Sequence, residues 1–210
     1  MIDYKKTQKE LYHPKTEPTI IDVPEMPFIM IDGRGNPNTS EAYLESLEIL
    51  YGLSYSIKMS KLGGAAPEGY YDFVVPPLEG LWWVQSGDRL DFSDKDKYFW
   101  TSMIRQPEFV TQDVFEDVKK AFSEKKPYLD LTPARLELLT EGLCVQIMHI
   151  GPYDDEPATI EIMDKYLADS GYVSDISETR HHHEIYLSDP RRTAQKKLKT
   201  IIRHPIRKAE

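Results

Sequence analysis

Apolar and polar residues follow one another along the chain with two different periods, and each period predicts one kind of element. Short apolar runs that end at glycine predict β-strands, as in Met26 to Gly35 (MPFIMIDGRG). Segments with apolar residues every three or four positions predict helices. The first of these can be capped by Thr39 or Ser40. Its apolar face consists of Tyr43, Leu47, Leu50 and Ile57.

Two segments rich in strand-forming residues contain turn signals. Residues 70–85 are predicted to form two strands around a Pro-Pro and Glu-Gly turn, Pro76-Pro77 and Glu79-Gly80. Residues 134–153 are predicted to form a hairpin that turns at Glu141-Gly142. Further helices are predicted over residues 111–126 and 157–170. The pattern therefore combines antiparallel strands with helices.

Two stretches of the chain have the same order of elements. Residues 28–52 and residues 145–171 both consist of a strand, a turn that contains glycine, a polar cap and a helix. We interpret them as an internal duplication of a β-α-β-β module. The predicted fold class is α+β, with the modules in a pseudo-two-fold arrangement and helices on one face of an antiparallel sheet. Such a duplication is expected to leave a ligand cleft between the halves.

The length of 210 residues allows one large domain with a substantial core. We predict an N-terminal lead-in over residues 1–25 that packs on the body. The domain itself is predicted over residues 26–210, with internal repeats at approximately 26–130 and 131–210. The protein is predicted to be a monomer or a weak homodimer.

Composition and cysteine content restrict the class of protein. Hydrophobic residues make up 40% of the sequence, which is typical of a soluble globular protein. No apolar run is long enough to span a bilayer, and the N-terminus has no signal-like apolar core. The single cysteine, Cys144, excludes an internal disulfide framework and fits a reducing compartment. We therefore predict a cytoplasmic protein without a membrane partner.

The net charge of −9 is unevenly distributed. Eight of the 26 Lys and Arg residues, but one of the 35 Asp and Glu residues, lie between Arg191 and Glu210. In the same region Ala194, Leu198, Ile201 and Ile202 recur at helical spacing, so we predict an amphipathic helix whose lysines face solvent. An acidic body disfavours binding to phosphates, and no nucleic-acid partner is predicted.

One predicted strand carries an unusual carboxylate. In the segment Arg180 to Pro190 (RHHHEIYLSDP), alternation places His182, Glu184 and Tyr186 on one face. The opposite face carries His181, His183, Ile185 and Leu187. Glu184 is then a surface acid, a metal ligand or the working group of a pocket.

The metal hypothesis can be tested against strand geometry. His182 and Glu184 point the same way, and His149 could supply a third ligand. Neighbouring strand residues point apart, however, so His181, His182 and His183 cannot chelate one ion together. We predict no metal and no other cofactor.

Aromatic residues are concentrated before and within the strands near the middle of the chain. The candidates for ligand binding there are Tyr71, Trp82, Trp83 and Trp100. Core packing is the alternative explanation for such residues. Aromatic walls that face a carboxylate would suit a flat or cationic ligand.

Three stretches resemble a known family. These are GLCVQIMHIGPYDDEPATIEIMDKYLADSGY, HHHEIYLSDPRRTAQKKLKTIIRHP and PLEGLWW, and they resemble the GyrI-like small-molecule-binding proteins, more narrowly the stand-alone bacterial members. The resemblance covers most of the chain from about Met26 onward. It implies two strand-helix-strand-strand modules with a ligand cleft between them, and Glu184 with Tyr186 at the bottom of an aromatic pocket. The helix-turn-helix domain of related drug-sensing regulators is not expected, since there is no room for it before Met26.

The resemblance also implies an activity. Stand-alone members are linked to the hydrolysis of cyclopropane-bearing DNA-alkylating natural products, in which pocket glutamates direct water at the strained ring. Glu184 is the first candidate for the base and Glu156 for its assistant, although an acid at a helix start is also favoured by the helix dipole. Tyr153, Tyr186 or His149 could provide a proton. Two alternatives stay open: a drug-binding protein without turnover, and a protein that protects or inhibits a partner such as gyrase.

Overall fold

The computed structural model describes residues 1–64, 66–85 and 90–209. The strands are β1 (Thr19–Val23), β2 (Met26–Arg34), β3 (Leu78–Trp83), β4 (Phe99–Arg105), β5 (Arg135–Leu139), β6 (Gly142–Ile150), β7 (Tyr172–Ser174), β8 (His182–Tyr186) and β9 (Lys199–Lys208). The α-helices are α1 (Tyr4–Thr7), α2 (Lys9–Tyr12), α3 (Glu41–Met59), α4 (Gln112–Lys125) and α5 (Glu156–Ser170). Short 3₁₀ turns lie at Ser60–Gly63, Lys95–Lys97, Tyr153–Asp155 and Gln195–Lys197.

The strands of the described ranges form one antiparallel sheet in the order β1-β6-β9-β8-β3-β4-β2-β5, with β7 paired to the end of β9. The predicted α+β class with an antiparallel sheet is confirmed. The inner order, β6-β9-β8 followed by β3-β4-β2, is one that a two-fold repeat would produce. The internal duplication itself stays a prediction.

Strand register divides the sheet into a face under the long helices and an opposite face. Trp82 of β3 lies opposite His182 of β8, and Glu184 lies opposite Ile202 of β9, so these side chains share the helix face. On that face α3 and α4 pack over the β2, β3 and β4 side, and α5 packs over β6 and β9. The three long helices therefore lie on one face, and the sheet positions at the junction between them carry Glu184 and its neighbours.

The N-terminal segment covers the opposite face. Tyr4, Leu11 and Tyr12 are buried there against Phe28, Met103, Ile185 and other apolar residues of that face. Further along, β1 pairs with β6 as a strand of the sheet. The predicted lead-in, residues 1–25, thus includes a strand and three side chains of the core.

The prediction of an amphipathic helix at the end of the chain was wrong. Residues Lys199–Lys208 form strand β9, which lies between β6 and β8. Ile201 and Ile202 are both fully buried because helices cover one face of this strand and the N-terminal segment covers the other. A strand that is buried on both faces has no alternation, so its apolar residues can imitate helical spacing.

Neither of the two predicted Glu-Gly hairpins forms. Glu79-Gly80 lies inside β3 rather than between two strands. Glu141 precedes β6, but β5 pairs with β2 and β6 pairs with β1 and β9, so these consecutive strands do not form a hairpin. Pairing with distant strands overrode the local turn signals.

Among the helices of the described ranges, none combines the length and the apolar character that a membrane span requires. The longest, α3, has 19 residues and exposes Tyr55 and Leu44 on its outer side while it buries Leu50 and Leu53. It is an amphipathic helix packed on a sheet. The predicted location of the protein stays a prediction.

Candidate functional site

Strand β8 carries polar side chains on both of its faces, and nearly all are buried. His182 and Glu184, 3% and 8% exposed, lie on the helix face together with Tyr186. His183, fully buried, lies on the opposite face. The HHHEIY motif therefore contributes to two separate polar clusters.

Both carboxyl oxygens of Glu184 accept hydrogen bonds. The distance from His182 Nε2 to Glu184 Oε1 is 2.9 Å, and the Tyr186 hydroxyl donates to Oε2 at 2.6 Å. The Trp82 Nε1–H in turn donates to the Tyr186 hydroxyl oxygen at 3.0 Å. His182 Nδ1 lies 2.7 Å from His204 Nε2. Two chains of hydrogen bonds thus converge on one carboxylate.

Gly80 makes room for one of these chains. It lies opposite Glu184 in the register of β3 and β8. A Cβ atom at this position would lie 2.7 Å from Trp82 Nε1 and 3.3 Å from the Tyr186 hydroxyl. The absence of a side chain at residue 80 therefore allows the indole and the phenol to meet beside Glu184.

Glu156 is the second carboxyl group of the site. It is the first residue of α5 and is 1% exposed; no described residue donates a hydrogen bond to its oxygens, and in its protonated form it can donate one to Glu184. One ligand-type atom from each of Glu156, His182 and Glu184 lies within 4.8 Å of the others. Two carboxyl groups are therefore buried within a few ångströms of each other.

The two carboxyl groups differ in their affinity for protons. Burial raises the pKa of Glu156 well above its ordinary value, and the neighbouring Glu184 carboxylate raises it further. Burial also acts to raise the pKa of Glu184, but hydrogen bonds from His182 and Tyr186 outweigh it and hold the pKa below its ordinary value. When the pair holds one proton, these opposite shifts favour its residence on Glu156 rather than on Glu184.

The same three residues have the spacing of a metal-binding triad. In the observed arrangement, however, His182 uses both ring nitrogens in contacts with His204 and Glu184, and both oxygens of Glu184 are acceptors. A metal ion would have to displace these hydrogen bonds. The arrangement is that of a proton-sharing pair, and the absence of a metal stays a prediction.

Tyr153 and His149, both predicted for this site, lie in the segment that leads into α5. The Tyr153 ring is 5.8 Å from the Tyr186 ring in an edge-to-face contact, and burial with the nearby Glu184 charge raises the pKa of Tyr153 to about 12. His149 Nε2 lies 2.9 Å from the Pro152 carbonyl oxygen, and Nδ1 lies 2.8 Å from Thr159 Oγ1. Since a carbonyl accepts only, Nε2 carries the hydrogen. His149 therefore holds the loop that positions Tyr153 and Glu156.

The structure brings some of the predicted aromatic residues to the site and not others. Trp82 belongs to it through Tyr186, and Trp83 stacks on His181 at 4.3 Å between ring centres. Trp100 is 1% exposed and packs edge-to-face against Tyr43 in the core. The contacts of Tyr71 are instead with Tyr4, Glu108 and Phe109 on another part of the molecule.

A cavity of about 180 Å³ adjoins the carboxyl pair. Its walls come from β3, β8, β9, the first turns of α5 and the loops at residues 90–92 and 176–177; they comprise Trp82, Trp83, Leu90, Phe92, Pro157, Ile160, Glu161, Ile176, Ser177, His182 and His204. Glu184 and Glu156 do not line it, but His182, which contacts Glu184, does. The cavity is therefore separated from the carboxyl pair by one layer of side chains.

Sequence reasoning missed several members of the site. His204 lay within the predicted C-terminal amphipathic helix, Gly80 was assigned to a turn, and Phe92, whose ring meets that of His182 edge-to-face, was not considered. The alternation of β8 was a usable signal for His182 and Glu184. No local signal identifies His204, because its role depends on the position of β9 in the sheet.

A second polar cluster lies on the opposite face of β8. His183 Nδ1 is 2.8 Å from Glu141 Oε1, and His183 Nε2 is 2.9 Å from Glu79 Oε2. Arg203 Nη1 donates to Glu141 Oε2 at 2.8 Å and Nη2 donates to the Leu11 carbonyl oxygen at 3.0 Å. Two acids and two bases therefore connect the sheet to the N-terminal segment.

Mutual charge governs protonation in this second cluster. Burial acts to raise the pKa of Glu141, but the positive charges of His183 and Arg203 outweigh it and lower the pKa to about 2. Burial acts to lower the pKa of His183, but Glu141 and Glu79 outweigh it and raise the pKa to about 9. Around neutral pH His183, Glu141 and Arg203 are all charged.

A cavity with aromatic and apolar walls, next to a buried group of convergent polar side chains, defines a protein that binds small molecules. The chain belongs to the GyrI-like family: the family model, described as a GyrI-like small molecule binding domain, matches residues 16–207. The predicted family is thereby confirmed. Among curated proteins, no significant match was found.

Several solved structures are similar to this chain over nearly all of its length. An uncharacterized conserved protein from Listeria innocua is 46% identical with a TM-score of 0.94, over 99% of this chain and 100% of that one. A hydrolase from Listeria innocua is 45% identical with a TM-score of 0.90, again over 99% and 100%. The EcmrR C-terminal domain, 12% identical with a TM-score of 0.54 over 92% of this chain and 98% of that one, shares the fold.

Proposed function

We propose that this protein binds flat aromatic, electrophilic or cationic small molecules in its cleft and hydrolyses cyclopropane-bearing DNA-alkylating compounds. The observation that carries the proposal is the buried pair of Glu184 and Glu156 with unequal proton affinities, beside a cavity walled by Trp82 and Trp83. Carboxyl pairs with separated pKa values supply a base and an acid at the same pH. The similarity to a Listeria innocua hydrolase agrees with an enzymatic role.

The proposed reaction adds one water molecule to a cyclopropyl dienone. The water oxygen forms a bond to the ring CH₂ while the strained C–C bond breaks. The electron pair of the broken C–C bond moves through the dienone, and the dienone carbonyl oxygen becomes a phenolate. The reaction requires the substrate and its water to reach the carboxyl pair past the side chains that separate the pair from the cavity. Glu184 then accepts the proton that water loses, and the phenolate gains one from Glu156. A proton shift from Glu184 to Glu156 then restores the pair, so that protons and charge balance.

The remaining residues are assigned by their contacts. Tyr186 and Tyr153 flank the pair, and either hydroxyl can pass the proton to the phenolate. Trp82 and Trp83 would face the flat ring system, for which stacking is favourable. His149 is left out as a proton donor, because both its nitrogens are engaged by Thr159 and Pro152.

The test is turnover with a synthetic spirocyclopropyl dienone in H₂¹⁸O, followed by mass spectrometry of the product. We expect many equivalents of ring-opened alcohol per protein, with ¹⁸O on the former cyclopropane carbon. Glu124→Gln, a change on the exposed side of α4, serves as the matched control and should turn over normally. At most one equivalent of product, or an alkylated protein instead of free alcohol, would refute hydrolysis.

A second candidate function is sequestration without turnover. It is favoured by the description of the family as a small-molecule-binding domain and by the cavity, whose walls are mainly aromatic and apolar. Such a protein would bind one equivalent of a planar dye and quench its own tryptophan fluorescence. Binding in this titration, together with the absence of product in the turnover assay, would identify this function.

A further inference from the structure

Two histidines without a part in the proposed reaction form a hydrogen-bonded chain to Glu184. His204 Nε2 lies 2.7 Å from His182 Nδ1, and His182 Nε2 lies 2.9 Å from Glu184 Oε1. The exposed fractions of His182 and His204 are 3% and 5%. Both rings line the cavity, so the chain connects the cavity wall to the carboxyl pair.

The charge of Glu184 fixes the orientation of His182. A carboxylate has no hydrogen to donate, so His182 Nε2 carries the hydrogen in their contact. His182 Nδ1 then accepts from His204 Nε2–H or, in the imidazolium form, donates to it. In both cases His204 provides the partner for the second nitrogen of a buried ring. Without it that nitrogen would lose a hydrogen bond, and the orientation of Nε2 toward Glu184 would be less favourable.

We propose that His204 is a positioning residue which acts through His182 to make Glu184 the charged member of the carboxyl pair and Glu156 the protonated member. This inference rests on the proposed function, because it assigns base and acid within that site. An N–H hydrogen bond stabilises a carboxylate relative to its acid, so the group that receives the bond gives up its proton first. Glu184 receives hydrogen bonds from His182 and Tyr186, whereas no described residue donates one to Glu156.

Charged and titratable groups face the pair from several elements. They are Tyr186 on β8, Tyr43 on α3, Tyr153 and Asp154 before α5, and Lys95 and Tyr98 between β3 and β4. Lys95 favours ionisation of Glu156 and so opposes the assignment, while Asp154 and Glu184 favour its protonated form. The hydrogen bonds to Glu184 decide the balance, and His204 supports one of them.

The decisive variants are His204→Leu and His204→Gln in the full-length protein. Leucine has no polar atom, whereas the terminal amide of glutamine can stand where Nε2 of the imidazole lies. NMR of ¹³C-carboxyl-labelled glutamate reports the charge of Glu184 and Glu156 independently of turnover. In the wild-type protein we expect Glu184 to be ionised and Glu156 protonated at pH 7. In His204→Leu the apparent pKa of Glu184 should rise by roughly one unit, while His204→Gln should titrate like the wild type.

Kinetics give a second readout. In His204→Leu the acid limb of the kcat/KM profile for the cyclopropyl dienone should move up by roughly one pH unit. At pH values below this limb, kcat/KM should be about tenfold lower than in the wild type. In His204→Gln the profile should return to that of the wild type. Unchanged carboxyl titrations in both folded variants would overturn the inference. A shift of the Glu184 pKa in His204→Gln as large as that in His204→Leu would also overturn it. If His204→Leu does not fold, His204→Gln is expected to fold and still provides the test. If the wild-type protein shows no turnover, the proposed function fails while the carboxyl titrations still decide the role of His204.

Discussion

At the residue scale, hydrogen bonds dominate the pKa of Glu184, whereas burial dominates the pKa of Glu156. Glu184 is buried, yet His182 and Tyr186 donate to its two oxygens and favour the ionised form. Glu156 is buried without such donors among the described residues and next to the Glu184 charge, which favours its neutral form. Identical side chains thereby acquire different chemistry from their surroundings.

Replacement of Glu184 by Gln tests its role as the base. The change preserves size and the acceptor for His182 but removes the charge that would accept a proton from water. We expect kcat to fall by roughly 10²–10⁴, with the dissociation constant of a neutral planar ligand nearly unchanged. Glu124→Gln is the control. A normal kcat in Glu184→Gln would show that the base lies elsewhere.

Replacement of Glu156 by Gln tests its protonation through stability. A folded-state pKa raised above the ordinary 4.5 means that the folded protein holds a proton which the unfolded chain releases. Its contribution to stability is therefore complete below about pH 4.5 and is lost as the pH rises. Gln has no such dependence, so the unfolding free energy of Glu156→Gln relative to wild type should increase by about 1.4 kcal/mol per pH unit between pH 4.5 and the raised pKa of Glu156 in the folded protein. Urea titrations at pH 5, 6 and 7 measure this, and a constant difference would contradict it.

Gly80→Ala tests whether the missing side chain at residue 80 matters. The added Cβ would meet Trp82 Nε1 and Tyr186, so the indole must move and the Trp82–Tyr186 hydrogen bond is expected to be lost. Overpacking of this kind costs about 1–3 kcal/mol in thermal or urea unfolding. In a Trp82→Phe background the same change should cost less, because the indole nitrogen is absent. Equal costs in the two backgrounds would argue against this contact.

At this scale the sequence predicted what strand alternation controls. It identified the shared face of His182, Glu184 and Tyr186, since these residues belong to one strand. It could not predict that His204 completes the group, because two strands far apart in the chain must pair before the residues meet. It also gave Tyr71 a place among the ligand-binding candidates, although the structure packs this residue beside Glu108.

At the scale of elements, β9 shows why local pattern was insufficient. It contains Pro205 and several basic residues, features that usually argue against a central strand. Its position between β6 and β8 buries both faces and removes the alternation on which a strand prediction depends. By contrast α3, α4 and α5 have one buried and one exposed face, and their predicted positions agree with the structure to within a few residues.

Truncation tests the importance of the two ends of the chain. Deletion of residues 191–210 removes β9 from the middle of the sheet and leaves one edge of β6 and one edge of β8 unpaired, which separates β1-β6 from the rest of the sheet, so we expect no cooperative thermal transition. Deletion of residues 1–20 removes the buried side chains of Tyr4, Leu11 and Tyr12 but leaves the rest of the sheet paired. It should fold with a lower melting temperature. Circular dichroism melts compare the two, and a cooperative transition in the C-terminal truncation would contradict this account.

At the scale of the whole molecule, β8 separates two polar clusters with different tasks. On the helix face, His182 and Glu184 belong to the candidate active site beside the cavity. On the opposite face, His183, Glu141 and Arg203 join the sheet to the N-terminal segment. Stability and ligand chemistry are thus assigned to opposite sides of one strand, and a change on one side is expected to leave the other largely intact.

Glu141→Gln tests this separation. Loss of one partner of a buried ion pair costs about 3–5 kcal/mol, so the variant should be less stable than the wild type at pH 6, while Glu137→Gln, on the exposed part of β5, should not be. The folded pKa of Glu141 is about 2, below the ordinary 4.5, so its contribution is present above about pH 4.5 and is lost as the pH falls toward 2. The difference between Glu141→Gln and wild type in urea unfolding should therefore shrink by about 1.4 kcal/mol per pH unit below pH 4.5.

Because Arg203 also holds the Leu11 carbonyl, limited proteolysis should cut the N-terminal segment of the variant faster. Ligand affinity at pH 6 should stay near that of the wild type, and a parallel loss of affinity would show that the two faces are not independent.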